Sequence, residues 1–397
     1  MHLHDPAHAF VPYPDVPVKS APTGLLADLH FGVKDLFDVA GYPTGGGSPI
    51  VLAMSGIKTQ TAPTVQKLLD AGAQFSGKTV TDEFAFSMNG NNAHFGAPLN
   101  GAAPDRITGG SSSGSAAAVS WGLCDVALGT DTGGSVRAPA NHCGLYGLRP
   151  THGRVSLEGA LDLAPSLDTC GWFARDIATF ARVADVLLDA DPAPLPDRVR
   201  LLWPSDLWAM LDAPVVQALE GATRHVQAVL GDAAPVDTVA LESWDAMYWH
   251  FRYLQGREAW LTDGPVIERY APPLGPGVAE RFAWSRTVTD AQVIAARAFR
   301  LAFRAQLAAL LGSDGVLLMP SMPDIAPLRS TPEASLEDYR NRAIRMLCVA
   351  GLAGMPQLSM PLAAREGAPL GLSLLGPAGS DRSLIRCAER IGVIAQG

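Results

Sequence analysis

The sequence is poor in the features that would tie it to a metal, a nucleic acid or a membrane. Its five cysteines, Cys124, Cys143, Cys170, Cys348 and Cys387, are odd in number and form no Cys-x-x-Cys pair. That argues for buried free thiols in a reducing compartment rather than a zinc site or a disulfide framework. Long basic runs are missing and the formal net charge is -9, which speaks against a nucleic-acid partner. No long charge-free apolar stretch occurs, so no bilayer span is expected. The start, Met1-His-Leu-His-Asp-Pro6, has no basic segment followed by an apolar one. No signal peptide is read there, and a cytoplasmic location is expected. His2, His4 and His8 have no carboxylate or cysteine at ligand spacing and read as a solvated tail.

What is present is the material of a large buried core. Hydrophobic residues make up 48% of the 397 and charged residues 17%. Forty glycines and 31 prolines are spread along the chain, which excludes a collagen-like or low-complexity reading and implies many tight turns. The length admits one large domain or two to three smaller ones. Residues 24–41 read as a strand and turn, 62–71 as a helix closed by Gly72, and 126–129 as a short buried strand. Residues 177–188 and 290–311 read as helices, and 316–320, 358–361 and 370–376 as strands. Strand, loop and helix alternate, the mark of an α/β sheet. Six of the eight tryptophans fall between Trp203 and Trp284. This middle stretch is expected to be inserted into the core or packed over it.

Two loops of small residues stand out. Gly109-Gly-Ser-Ser-Ser-Gly-Ser115 runs directly into the helix formers Ala116-Ala-Ala-Val119, unlike a flexible linker. Its Gly109-x-x-x-x-Gly114 spacing fits the start of a phosphate-binding loop, but Ser115 stands where that loop needs lysine. The second loop is Thr130-Asp-Thr-Gly-Gly-Ser135. A serine hydroxyl attacks only when a base removes its proton. No Gly-x-Ser-x-Gly elbow surrounds Ser135 to imply a histidine partner. Lysine serves as the base if burial keeps it neutral. Lys34 lies among apolar residues in Phe31-Gly-Val-Lys-Asp-Leu-Phe37 and fits that requirement. Taken alone, such a lysine more often snorkels or forms a salt bridge.

Together these segments resemble the amidase signature family. Gly109-Gly-Ser-Ser-Ser-Gly-Ser-Ala-Ala-Ala-Val119 and Gly129-Thr-Asp-Thr-Gly-Gly-Ser-Val-Arg-Ala-Pro139 match its defining stretch, with 24 positions from Ser111 to Ser135. Phe31-Gly-Val-Lys-Asp35 matches its lysine segment. Gly144-Leu-Tyr-Gly-Leu-Arg-Pro-Thr-His-Gly-Arg-Val155, Ser166-Leu-Asp-Thr-Cys-Gly171 and Gly367-Ala-Pro-Leu-Gly-Leu-Ser-Leu-Leu-Gly376 agree as well. The likeness covers about residues 20–190 and 340–395, and Lys34 comes earlier in the chain than in many members.

The resemblance implies an α/β fold: a large mixed, twisted sheet between layers of helices, as a single domain over 1–397. Residues 20–190 would form the core, 191–335 a variable Trp-rich specificity region, and 336–397 the return to the sheet. It implies Ser135 as nucleophile, Ser111 after a cis peptide bond as bridge, and Lys34 as base. The backbone N–H groups of Thr132, Gly133, Gly134 and Ser135 would form the oxyanion hole. Asp131 and Arg137 are expected to support the loop, as an ion pair or through backbone hydrogen bonds, rather than to act directly, and Asp168 to be structural. Ser112, Ser113 and Ser115 are expected to satisfy loop N–H groups. Phe84, Phe86, Ser87 and Met88 would line the pocket. No metal or organic cofactor is called for.

The implied activity is hydrolysis of a small carboxamide through a seryl acyl-enzyme. The runs Asp82-Glu-Phe-Ala-Phe-Ser87 and Gly171-Trp-Phe-Ala-Arg-Asp176 are similar to plant-type indole-3-acetamide hydrolases, which favours a primary amide such as an arylacetamide. The Trp-rich middle would then supply an apolar pocket, or else serve only as core and cover. Two alternatives remain: the glutaminase-like subunit of a tRNA-dependent amidotransferase, and an inactive binding protein on the same scaffold. A homodimer is left open, and neither a membrane nor a nucleic acid is an expected partner.

Overall fold

Val126-Ala-Leu-Gly-Thr130 forms a strand in which every residue is buried, as a strand covered on both faces must be. The computed structural model describes residues 5–392, so His2 and His4 lie outside it. Ten strands join in one sheet among the described residues: β1 His30–Lys34, β2 Gln74–Thr79, β3 Val126–Thr130, β4 Tyr146–Arg149, β5 Cys170–Ala174, β6 Arg200–Pro204, β7 Ala234–Val236, β8 Gly315–Pro320, β9 Gln357–Arg365 and β10 Ala368–Leu375. Their spatial order is β2-β1-β3-β5-β4-β9-β10-β8-β6-β7. The outer pairs β1–β2, β1–β3, β6–β7 and β6–β8 are parallel, and the pairs between β3 and β8 are antiparallel. The sheet is therefore mixed, with strands from both ends of the chain meeting where β4 pairs with β9.

Helices follow from local chemistry. Asp290–Leu311 starts at a capping box in which Thr289 Oγ1 accepts the Gln292 N–H and the Gln292 side chain accepts the Thr289 N–H. The small-residue helix Ser113–Ser120 is buried over nearly its whole length, which alanine and glycine permit because they keep the backbone close to the sheet. The tryptophan-rich middle contributes β6, β7 and β8 to one side of the sheet. It also contributes the helices Trp244–Tyr270, Val278–Ser285 and Asp290–Leu311, which pack on one another and on Glu333–Ala353. No described helix is long and apolar enough to cross a membrane.

The site sits where the sheet delivers it. Lys34 is the last residue of β1 and Thr130 the last of β3, and these are parallel neighbours. Side chains at the carboxyl ends of adjacent parallel strands converge on one crevice. The loop leaving β3 carries Ser135 over that crevice before the helix Arg137–Cys143 begins.

Candidate active site

Lys34 has no solvent exposure. Its Nζ lies 2.7 Å from Ser111 Oγ and 2.7 Å from Thr130 Oγ1. Burial pushes the amine down to about 7, although Asp82, Asp168 and Asp131 pull in the opposite direction. A substantial fraction of the lysine is then neutral near pH 7 and able to take a proton.

Ser111 follows a cis peptide bond from Gly110. Gly110 is required there because a Cβ would stand 2.4 Å from Asp82 Oδ2. Asp82 is fully buried and accepts the Gly90 N–H at 3.0 Å. Burial raises its pKa. The two serine-bearing segments touch through their backbones, with the Ser112 N–H directed at the Ser135 carbonyl at 3.4 Å. The first leg of a Lys34–Ser111–Ser135 line is thus closed. No hydrogen bond joins the Ser111 and Ser135 side chains among the described residues, so the second leg is open in this state. Catalytic hydrogen bonds commonly tighten only once substrate is bound.

Asp131 organises the loop that carries Ser135. Its Oδ1 accepts from Gly134 N at 2.9 Å and Arg137 Nη2 at 2.8 Å, and its Oδ2 accepts from Arg137 Nε at 3.0 Å. Arg149 Nη1 reaches Asp131 Oδ1 at 3.1 Å and the Asp131 carbonyl at 2.6 Å. All three side chains are fully buried. Burial alone would raise the Asp131 carboxyl, but Arg137 and Arg149 outweigh it and hold the group well below the usual carboxylate range. Asp131 and Arg137 form the expected ion pair. Arg149, a partner not singled out beforehand, lies inside the 144–155 run that carries part of the resemblance. Asp168 is an anchor, taking the Thr132 hydroxyl at 2.5 Å and two backbone N–H groups, from Leu163 and Ala164, at 2.9 Å each.

Several expectations need correction. The Gly134 N–H is engaged by Asp131, so it anchors the loop and is not a free oxyanion donor. The N–H groups of Thr132, Gly133 and Ser135 have no protein acceptor among the described residues and remain candidates. Ser112 Oγ accepts the Thr130 N–H at the start of the second loop and donates to the Thr130 carbonyl, whereas Ser115 donates to Leu128 O in β3 rather than bonding a loop N–H. Ser113 takes no part in that tie. Phe86, Ser87 and Met88 line a narrow cavity at Ser135 together with Ala85, Gly133, Gln255, Arg340 and Ile344. Phe84 does not line it. Phe84 and Ala85 both adopt left-handed backbone angles, φ 52° and 54°, which interrupts the run. The Phe84 ring instead packs edge-on to Phe282 at 5.5 Å and lines a separate cavity with Leu36, Val51 and Asp263. None of the tryptophans lines the cavity at Ser135. Trp203 stacks on Trp208 at 3.9 Å, and Trp249 and Trp284 pack around Tyr253.

The middle of the chain reaches the site through Gln255 instead. Gln255 and Arg340 were invisible in the sequence because no readable motif surrounds them. Thr130 was visible only as part of a motif, since its contact with Lys34 depends on the register of β1 against β3.

Known proteins resemble this chain over nearly its whole length. Amidase 1 of Arabidopsis thaliana is 38% identical over 394 residues, covering 92% of this chain and 93% of that protein. A glutamyl-tRNA(Gln) amidotransferase subunit of Thermus thermophilus is 34% identical, covering 91% of this chain and 84% of that protein. A solved amidase crystal structure superposes with a TM-score of 0.83 at 32% identity, covering 93% of this chain and 85% of that one. The Amidase family matches residues 14–385, and the chain belongs to that family.

Proposed function

We propose that this amide hydrolase acts through Ser135, with Ser111 and Lys34 as its proton relay. Neutral Lys34 takes the Ser111 proton as Ser111 takes that of Ser135, and Ser135 Oγ forms a bond to the amide carbon. The carbonyl oxygen gains the negative charge and faces the N–H groups of Thr132, Gly133 and Ser135. Lys34, now an ammonium, returns the proton by the same route to the departing nitrogen, and ammonia leaves an acyl-Ser135 ester. Water repeats the sequence and frees the acid. The observation that carries this reading is the 2.7 Å contact between Lys34 Nζ and Ser111 Oγ in a site that brings the lysine to about 7.

The narrow cavity supports a small primary amide as substrate. Phe86, Met88 and Ile344 give it apolar walls, and the runs at 82–87 and 171–176 favour an arylacetamide. The amidotransferase reading differs in needing glutamine and a partner chain. An inactive scaffold differs in cleaving nothing. Ammonia release by the lone purified chain, measured with acetamide, indole-3-acetamide and glutamine, separates the three. Turnover of a simple amide by the wild type and its loss in Ser135→Ala is the expected result. Full activity in Ser135→Ala, or no cleavage of any amide, overturns the reading.

A further inference from the structure

Asp82 has no solvent exposure and forms no ion pair among the described residues. Its Oδ2 accepts the Gly90 N–H at 3.0 Å, and its buried Oδ1 has no hydrogen-bond partner. The hydroxyls of Ser87 and Ser113 draw the carboxyl down, but burial outweighs them and raises it. A carboxylate in such a place is costly, and a buried acid kept beside a reactive group marks a functional role.

The chain brings this group to the relay. Strand β2 ends at Thr79, the register partner of Lys34 on β1. Three residues further on, the Asp82 N–H is directed at the Ser111 carbonyl at 3.1 Å. The Asp82 carboxyl packs so closely on Gly110 that a Cβ there would stand 2.4 Å from Oδ2 and 2.6 Å from Oδ1. Asp82 therefore backs the peptide that presents Ser111 Oγ to Lys34 Nζ.

The acidic groups that face Lys34 are Asp82, Asp168, Asp131 and the Cys170 thiol, and Asp82 pulls hardest towards the ammonium form. Asp131 is committed to Arg137 and Arg149. Asp168 is committed to the Thr132 hydroxyl and two backbone N–H groups. Burial keeps Cys170 a neutral thiol. Arg281 also feels Asp82, but it is bonded to the Phe86 carbonyl and to Glu337. Of the three carboxyls around Lys34, Asp82 is the one with an oxygen free among the described residues.

We propose that Asp82 is a positioning residue of the relay, its carboxylate holding Ser111 in line and balancing the ammonium that Lys34 becomes when it takes the Ser111 proton. Asp82 itself neither gives nor takes a proton in that step. This role rests on Lys34 being the base. A fixed charge acts far more strongly on an ammonium formed in a site closed to water than on one in solvent.

Asp82→Asn keeps the shape and removes the charge. Lys34 then loses its strongest pull towards the ammonium form, so its midpoint falls. The acid limb of kcat/KM against pH should move down by about one unit, the scale of one nearby opposite charge. The plateau should drop at least ~10-fold, because a weaker base draws the proton less well. The urea midpoint should hold or rise, because a costly buried charge is gone. Asp82→Ser, smaller and also uncharged, gives the same profile if the Asn variant does not fold. An acid limb that stays at the wild-type midpoint overturns the proposal however far the rate falls, because lost packing alone does not move it. Failure of both variants to fold overturns it as well, since a counter-charge to an ammonium formed during turnover is not needed for folding. An unmoved limb together with an inactive Lys34→Ala leaves the relay standing, whereas full activity in Lys34→Ala overturns both.

Discussion

Lys34 is sealed from water, and its charge is what burial penalises most. The lysine is useful as a base only when uncharged, which fixes the sign of the pH dependence. Below about 7 the amine is protonated and cannot accept the Ser111 proton, so kcat/KM should fall tenfold per pH unit. Above that value it should rise to a plateau. A profile of kcat/KM against pH with its midpoint near 7 is the expected outcome, and a flat acid limb would contradict it. Replacing either end of the relay should be severe. Ser135→Ala and Lys34→Ala are each expected to lose at least ~10²-fold in kcat, the contribution of a missing nucleophile or base. Steady-state kinetics with a single amide checks both.

At the scale of elements, the nucleophile loop is held from its two sides. On one side Asp131 pairs with both Arg137 and Arg149, all buried. Asp131→Asn leaves two buried guanidinium groups without a counter-charge and should cost about 3–5 kcal/mol in urea denaturation. Because the carboxyl lies well below its usual range in the folded state, its stabilising contribution is present above the unfolded carboxylate pKa. It is lost only as pH falls through the lowered folded value. This ion cluster should therefore survive mild acid. On the other side, Gly134 has φ +126°, and a Cβ there would stand 2.4 Å from Leu347 Cδ1. Gly134→Ala should lower stability by about 1–3 kcal/mol and displace Ser135, read as a fall in both denaturation midpoint and kcat. These elements were legible in the sequence because the chemistry fixes residue type and spacing together at 31–35 and 109–139. The helix Trp244–Tyr270 was not. It carries Gly256, Gly264 and Pro265, and its buried side chains include Arg252 and Gln255, so no apolar stripe marks it. Phe84 misled for a related reason: a left-handed backbone turns its ring away from the cavity that its neighbours line.

Across the whole molecule the sheet gathers strands from both ends of the chain, so the site depends on the complete core rather than on its motifs alone. The alternation of strand, loop and helix was readable at 126–137. The pairing of β4 with β9 was not, because long-range register leaves no local trace in the sequence. All five cysteines are free and buried. Burial pushes Cys124 and Cys348 up to about 12, which keeps them as unreactive thiols at neutral pH. The native protein should therefore resist a thiol reagent such as dithionitrobenzoate and retain its activity without reductant, with the five groups reacting only after denaturation. Counting released chromophore before and after denaturant measures this.

In the proposed route, neutral Lys34 drives Ser135 to form an acyl ester through Ser111. Rapid acid quenching during turnover, followed by mass spectrometry of the digested chain, tests it most directly. An added acyl mass is expected on the peptide containing Ser135 in the wild type, with its rate of appearance at least ~10²-fold slower in Lys34→Ala. An acyl group on another residue, or unchanged acylation of Ser135 in Lys34→Ala, would contradict it.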